Sequence, residues 1–387
     1  MMLTTTPAPL SQPVATRSSP AALPQRVLVF HVGSLGDTLV ALPSFWAVRD
    51  AFPQARRVML TKTAARGTIP VGREILEGSG LFDDYLLFHG DHHAYGKNLP
   101  RWRKWMGALA LIRKLRAGRF DLVVYLAPSV REPAQIERDL LFFRLAGIRQ
   151  VIGAHALGEQ DGAAHLPEAQ RLLSRLAGSA VPAPPLQRAR RDLSLAATDR
   201  FAVARWLAEQ PAVPASVGPW VAFAPGSNLP SKLWPVERFE AVGRELIARF
   251  SIWPVIVGGV EDAPVADRLV QAWGRGTNAA GALPVRQSAA LLERCRLFVG
   301  NDTGTMHLAA ACDIPCIALF SARDVPGKWE PMGDHHRVLR KNVACAGCML
   351  VRCEVQDQLC MRLIEVNEVV FIASSLLAVL PLAEATA

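Results

Sequence analysis

Short apolar runs that end at glycine, each followed by a helical stretch, constrain the fold of this chain more than any other feature. The first run is RVLVFHV at residues 26–32, which stops at Gly33 and is followed by TLVALPSFWAVRDAF, where the apolar spacing is helical. Residues 57–61 and 121–126 predict further strands with helices between them. This alternation implies a parallel sheet that is covered on both faces.

The alternation pauses in the middle of the chain and then restarts. Two proline-rich segments, residues 178–191 and 210–219, flank a helical stretch at 196–209. Beyond them, strands are predicted at 220–224, 253–257, 296–300 and 315–320, with helices in between. The sequence therefore predicts an α/β protein of two Rossmann-like domains that face each other across a cleft, with ligands outside the carboxyl ends of the strands.

The same pattern divides the chain into five parts. They are a disordered tail (1–25), a first Rossmann-like domain (26–180), a linker region with a helix (181–218), a second Rossmann-like domain (219–365), and a C-terminal helix with a tail (366–387).

Composition narrows the class of protein. The 387 residues are 50% hydrophobic, which excludes a wholly disordered chain. The 43 Lys+Arg exceed the 34 Asp+Glu, and the net charge of +9 favours phosphates or anionic lipids as partners. Neither a secretory signal nor an apolar run of about 18 residues is found, and seven cysteines do not fit a disulfide scaffold, so we expect a cytoplasmic protein.

Two of the glycine-rich turns combine polar side chains with glycines. In the first, GSLGD, Gly36 allows a ligand to approach the backbone and Asp37 places a carboxylate at a helix start, where it also suits an N-cap. In the second, PGSNLPSKLWP, Ser227 and Lys232 are placed to converge on a phosphate, although a solvated lysine would give the same pattern.

The other two turns follow later strands of the second unit. In GGVED, Glu261 is a candidate acceptor from ribose hydroxyls, and helix capping is the alternative. In NDTGTMHLAAA, Thr303 and Gly304 start a helix whose free N–H groups favour a pyrophosphate, and His307 lies one turn further on. Because Asp302 is negative, we expect it to cap the turn or to bind His307.

Taken together and in this order, the four motifs resemble glycosyltransferase family 9, the ADP-heptose:lipopolysaccharide heptosyltransferases. The resemblance runs from about residue 26 to about residue 370, and NDTGTMHLAAA is its most characteristic part. It implies a GT-B fold and a hexosyl- or heptosyltransferase of the EC 2.4 class, inverting and independent of metal. The acceptor would bind the first domain and the nucleotide sugar the second.

The resemblance also implies a role for each matching residue. Asp37 matches the proposed general base, beside Gly36, and a carboxylate there would take the proton of a sugar hydroxyl. The departing diphosphate gains charge, which Lys232 would stabilise in place of a metal ion. The residues implied to bind the nucleotide sugar are Ser227, Lys232, Glu261, Asp302, Thr303, Gly304 and His307.

A strongly basic stretch, RWRKWMGALALIRKLRAGR at residues 101–119, lies in the first unit. Arg101, Arg103 and Lys104 alternate with two tryptophans, which suits an anionic membrane surface, a phosphorylated lipid, nucleic acid or a merely solvated helix face. The resemblance favours acceptor binding there. The implied partners are an ADP-sugar and the lipopolysaccharide core (Kdo-lipid A) at the inner leaflet of the inner membrane, without nucleic acid.

Four of the seven cysteines lie within sixteen residues. A CxxC pair followed by two more thiols is a signal for structural zinc or iron, and reduced, metal-free packing is the alternative. No cofactor is expected for catalysis. The cysteines concerned are Cys345, Cys348, Cys353 and Cys360.

Other functions stay open at this point. The donor sugar, the acceptor and the oligomeric state are not fixed by the sequence, and a protein acceptor, as in autotransporter heptosyltransferases, is one alternative. A zinc-bearing nucleic-acid-binding protein would explain the thiols and the charge but would leave the cleft motifs without a role. A nicotinamide dehydrogenase would need a complete GxGxxG, which the first turn lacks.

Overall fold

The computed structural model describes residues 23–62, 71–88, 101–128, 131–154, 166–211, 213–214 and 217–379. Most of the predicted tail, residues 1–22, and the end of the C-terminal segment, residues 380–387, lie outside the described residues.

The first half of the chain builds a parallel five-stranded sheet. Its strand order is β3-β2-β1-β4-β5, and β1 pairs with both β2 and β4. Because β1 is buried on both faces, its residues form an uninterrupted apolar run rather than an alternating one. The strands are β1 (Arg26–Phe30), β2 (Arg56–Lys62), β3 (Asp84–Phe88), β4 (Leu122–Tyr125) and β5 (Gln150–Ile152).

The second half builds a parallel sheet of six strands, in the order β11-β10-β9-β6-β7-β8. In this order β6 lies between β9 and β7, so the turns that follow these three strands emerge side by side at one edge of the sheet. The strands are β6 (Trp220–Ala224), β7 (Trp253–Ile256), β8 (Thr277–Asn278), β9 (Leu297–Asn301), β10 (Cys316–Phe320) and β11 (Arg337–Arg340).

Helices cover both sheets and connect their strands. In the first half they are α1 (Leu35–Val40), α2 (Leu42–Ala51), α3 (Val71–Leu76), α4 (Arg101–Gly118), α5 (Pro133–Leu145) and α6 (Glu168–Ser174). In the remainder they are α7 (Ala197–Ala208), α8 (Val236–Phe250), α9 (Ala263–Trp273), α10 (Val285–Leu292), α11 (Gly304–Ala311), α12 (Leu359–Arg362) and α13 (Val366–Val379).

One hydrophobic cluster is shared by the two halves. It includes Val27 and Val29 of β1 together with Ala222 and Ala224 of β6, all buried. Polar contacts reinforce the junction, because the buried Arg286 of α10 donates to carbonyls of the first half and pairs with an aspartate of α7. The two sheets therefore share a continuous apolar junction.

The predicted fold class is confirmed, and the elements differ from it in detail. The single helix predicted after the first turn is broken at Ala41 into α1 and α2, and Pro43 lies in the first turn of α2, where proline is tolerated. The short strands β3, β5, β8 and β11 escaped the sequence analysis because they lack long apolar runs. The proposed domain boundaries stay a prediction.

Candidate active site between the two domains

Helices α1 and α11 meet at their amino-terminal ends, and glycines make this contact possible. A methyl group on Gly36 would lie 3.1 Å from Cδ2 of His307, and one on Gly304 would lie 2.8 Å from Cβ of Leu35. The GSLGD turn of the first domain therefore packs directly on the NDTGT turn of the second domain. A side chain at Gly304 would force the two helix starts to shift, whereas a methyl group at Gly36 would require the His307 ring to move by a few tenths of an ångström.

Asp37 stands in the first turn of α1 and is partly exposed. Its Oδ2 accepts hydrogen bonds from the backbone N–H of Ser34 (2.6 Å) and from the Ser34 hydroxyl (2.8 Å). The N-cap of α1 is Ser34, so the interpretation of Asp37 as the N-cap was wrong, and Asp37 is instead the N3 carboxylate of a capping box. Both hydrogen bonds are accepted by Oδ2. Among the described residues, no hydrogen bond to Oδ1 is found, so this oxygen is available to accept a proton.

Lys232 and Asp302 form an ion pair from neighbouring turns of the second sheet. Nζ of Lys232 lies 2.6 Å from Oδ2 of Asp302, and the two side chains are only 15% and 7% exposed. Burial raises the pKa of Asp302, and the ammonium of Lys232 opposes this. Asp302 therefore binds Lys232, and the expectation that it would cap the turn or bind His307 was wrong, because Thr303 is the N-cap of α11.

His307 is buried one turn into α11. Burial and the nearby charge of Lys232 lower its pKa to about 4, while Asp37 acts in the opposite direction. The imidazole is therefore neutral at pH 7, with one nitrogen that donates and one that accepts. Its surroundings place it between a carboxylate of the first domain and an ammonium of the second.

Thr303 carries a hydroxyl without a partner at this helix start. Its Oγ1 is buried and makes no hydrogen bond within the described part of the chain. A buried hydroxyl without a partner costs free energy, which a bound anion at the helix start would relieve. With the positive end of the α11 dipole beside it, the position suits a phosphate oxygen.

Asn301 was not singled out from the sequence, although it lies in the NDTGT motif. This fully buried residue at the end of β9 accepts from the backbone N–H of Trp234 (3.1 Å) and donates to the carbonyl of Pro225 (2.7 Å). Its amide thus fixes the second turn on both sides of Ser227 and Lys232. Only its position at a buried strand end signalled this role.

Ser227 and Glu261 lie in the turns that follow β6 and β7. The Ser227 hydroxyl accepts from the N–H of Leu229 (3.2 Å) in the second turn. Glu261 is exposed in the turn after β7. Its neighbour Asp262 is the better packed carboxylate, since Gly226 and Gly258 leave room for it and its Oδ2 accepts from the N–H of Gly259 (2.9 Å).

The basic stretch forms most of α4, at a different part of the first domain. The side chains of Arg101, Arg103 and Lys104 lie outside what the structure describes, so their tentative role in acceptor binding stays a prediction.

The four C-terminal cysteines line one small cavity. All are free thiols, and the cavity has a volume of about 20 Å³. Backbone N–H groups lower the pKa of Cys353. Within the described ranges, however, no three or more His, Cys, Asp or Glu side chains stand together in a way that would hold a metal ion. The predicted structural zinc or iron therefore stays a prediction.

The cysteine loop, residues 345–360, supports the turn that carries Lys232. The buried Ser231 donates its hydroxyl to the carbonyl of Leu350 (2.7 Å) and its N–H to that of Val351 (3.0 Å). The side chain of Gln358 donates to the carbonyl of Pro230. Lys232 is thus held from the loop on one side and by Asp302 on the other.

The fold defines a class: two parallel α/β domains in which the turn of Asp37 on one side packs against the start of helix α11 on the other, the GT-B arrangement. Residues 181–358 match the profile of glycosyltransferase family 9 (heptosyltransferase).

The chain is also similar to curated heptosyltransferases and to solved structures of glycosyltransferases. Lipopolysaccharide heptosyltransferase 2 of Salmonella typhimurium is 32% identical over 130 residues, which cover 32% of this chain and 36% of that protein. The chain thus spans about a third of the length of the curated relatives it matches. The structure of the family 9 glycosyltransferase of Veillonella parvula superposes with a TM-score of 0.70 at 19% identity, over 92% of this chain and 97% of that one.

A third similar protein carries a ligand. The E. coli heptosyltransferase WaaC with ADP-2-deoxy-2-fluoro heptose superposes with a TM-score of 0.59 at 18% identity, over 90% of this chain and 99% of that one. At such identity the likeness concerns the fold.

Proposed function

We propose that this protein transfers a heptose, or a closely related sugar, from an ADP-sugar to the lipopolysaccharide core, with inversion and without a metal ion. The observation that carries the proposal is the contact of Gly36 with His307, which brings the turn of Asp37 in the first domain to the start of α11, where Lys232 pairs with Asp302. A base and a cation are thus held near one point by different domains. The named relatives are heptosyltransferases, which supports the choice of donor.

The donor diphosphate would bind the second domain. The start of α11 supplies free N–H groups, and the Thr303 hydroxyl supplies an unused donor. Lys232 is paired with Asp302 beside them, and its ammonium would also donate a hydrogen bond to the diphosphate. In this proposal Ser227 and Gly304 complete the phosphate contacts, and Glu261 binds the nucleoside.

The transfer step follows from these positions. The acceptor hydroxyl gives its proton to Asp37 as its oxygen forms a bond to the anomeric carbon. The bond from that carbon to the diphosphate breaks, and ADP leaves with the electron pair. Because the hydroxyl attacks from the face opposite the leaving group, the configuration inverts. Lys232 stabilises the charge that grows on ADP, so it acts mainly on the transition state.

The acceptor would be Kdo-lipid A, held by the first domain with Gly36 at the point of approach. A lipid-linked acceptor would bring the protein to the inner leaflet of the cytoplasmic membrane as a peripheral protein, and nucleic acid has no part in this account. The cysteines would not enter the reaction. A zinc or iron ion among them would stiffen the loop that supports Ser231.

Two measurements test the proposal. ADP should raise the melting temperature, whereas NAD and duplex DNA should not, because the cleft offers a diphosphate site without a complete dinucleotide fingerprint. Purified protein should then transfer heptose from ADP-heptose to a Kdo-terminated core. Stabilisation by DNA without stabilisation by ADP would favour the nucleic-acid alternative. Transfer to a protein but not to the core would show that the acceptor is a protein.

A further inference from the structure

Helix α4 presents a row of large apolar side chains to solvent. Trp102, Trp105, Met106 and Leu109 are 56%, 72%, 61% and 49% exposed. Their spacing of three and four residues puts them on one face of the helix, over about 10 Å of its length. A contiguous exposed apolar row of this kind marks an interaction surface.

This row is not the face that holds α4 to the domain. The helix packs on the first sheet through Leu115, which is fully buried, and Leu111, which is partly buried. These two residues share a side of the helix about a quarter turn or more away from Trp105 and Met106. The apolar row is therefore additional to the core contact.

The neighbouring helix α5 extends the surface. Its Leu141 and Leu145 are 53% and 47% exposed. Arg116 of α4 donates to the carbonyl of Leu145 (3.1 Å), which ties the two helices together. The exposed apolar side chains of both helices, with Arg116, are called the α4–α5 face below.

Positive charge is concentrated around this face. Residues 101–154 contain 11 Lys+Arg and 4 Asp+Glu, so they carry +7 of the chain's net +9. Beside α5, a cavity of about 580 Å³ is lined by Arg144, Arg149 and the buried Arg175, without an acidic side chain among its lining residues. An apolar row inside a basic surround is the pattern of helices that lie in the interface of anionic membranes.

We propose that the α4–α5 face docks this protein on an anionic lipid bilayer. Trp105, Met106 and Leu109 enter the boundary between headgroups and acyl chains, and Arg113 and Lys114 meet lipid phosphates. No helix in the described ranges is long and apolar enough to cross a membrane. The inference rests on the proposed function only in that a lipid-linked acceptor lies in such a bilayer.

Vesicle co-sedimentation tests the docking without any transfer assay. Wild-type protein should bind vesicles of phosphatidylethanolamine with phosphatidylglycerol at low salt, and bind phosphatidylcholine vesicles weakly. The triple variant Trp105→Gln, Met106→Gln, Leu109→Gln should bind the anionic vesicles at least about tenfold less, equal to about 1.4 kcal/mol. Phe201→Gln is the matched control, since Phe201 on α7 is also 72% exposed and lies outside the face.

Equal vesicle binding by the triple variant and the wild type, with a native circular dichroism spectrum, overturns the proposal. So does a wild-type dimer in sedimentation velocity that the triple variant dissociates, because the face would then join two copies.

Transfer activity separates this inference from the proposed function. The triple variant should transfer sugar to a deacylated, soluble core as well as the wild type and lose rate only on acceptor embedded in vesicles. Wild-type vesicle binding without any transfer would refute the proposed function and leave the docking intact.

Discussion

The edge of the His307 imidazole packs against the backbone of Gly36, so that a methyl group on Gly36 would lie 3.1 Å from Cδ2 of His307. This contact joins the second domain to the first at the residue that precedes Asp37. It therefore fixes how far Asp37, the proposed base, stands from the start of α11. The predictions below test the groups around it.

Replacing Gly304 with alanine should separate the two helix starts. The new Cβ would lie 2.8 Å from Cβ of Leu35, a side-chain stem that cannot swing away. We expect a loss of about 1–3 kcal/mol in the free energy of unfolding, and slower transfer. Gly107→Ala is the control, because that helical glycine has open space around it and should gain about 0.5–1 kcal/mol. Urea unfolding measures both, and an unchanged Gly304→Ala would remove the steric argument.

Replacing Lys232 tests the buried ion pair and catalysis together. Lys232→Met leaves the buried Asp302 without its partner, so we expect a loss of about 3–5 kcal/mol in stability. Adding Asp302→Asn should restore most of that stability by removing the isolated charge. The double variant should still show a kcat reduced by about 10²–10³-fold at saturating donor. A double variant that is both stable and active would show that Lys232 serves the fold alone.

The free energy of unfolding should depend on pH, because burial lowers the pKa of His307 and His336. His307 has a pKa of about 4 in the folded protein and an ordinary value of 6.5 when unfolded. Between these values the unfolded chain binds a proton that the folded protein does not, so stability falls as the pH drops from 6.5 to 4. The slope is about 1.4 kcal/mol per pH unit for one group.

His307→Gln should reduce that slope by the contribution of one proton. His336, whose pKa burial also lowers to about 4, should keep contributing in the variant. Unfolding free energies at several pH values between 4 and 7 give the comparison, and parallel curves for variant and wild type would contradict the burial of a neutral His307.

Metal analysis tests the cysteine loop. If the loop holds zinc or iron, purified protein should contain about one ion per chain, and Cys345→Ser with Cys348→Ser should abolish it. Loss of the ion should also weaken ADP binding, because Ser231 and the Lys232 turn rest on this loop. Metal-free wild-type protein with full ADP affinity would favour reduced thiol packing.

Much of this arrangement could be predicted from the sequence, because glycine turns after apolar runs reveal strand ends. Asp37, Lys232 and His307 were singled out in this way, and they lie where the turn before α1 packs on the start of α11, although their roles stay a prediction. The pairing of Lys232 with Asp302 could not be predicted, since it depends on β6 and β9 being neighbours in the sheet. The role of Asn301 was hidden for the same reason, as its partners are about 70 residues away in sequence.

The central claim is that Asp37 removes the acceptor proton, and Asp37→Asn tests it most directly. Asparagine keeps an oxygen for the Ser34 N–H, so the helix start and the fold should survive. The measurement is the rate of heptose transfer from ADP-heptose to Kdo-lipid A, beside calorimetric binding of ADP to the same protein. We expect the rate to fall about 10²–10⁴-fold with ADP affinity nearly unchanged. A variant that transfers at the wild-type rate, or one that is inert only because it no longer binds ADP, would contradict the account.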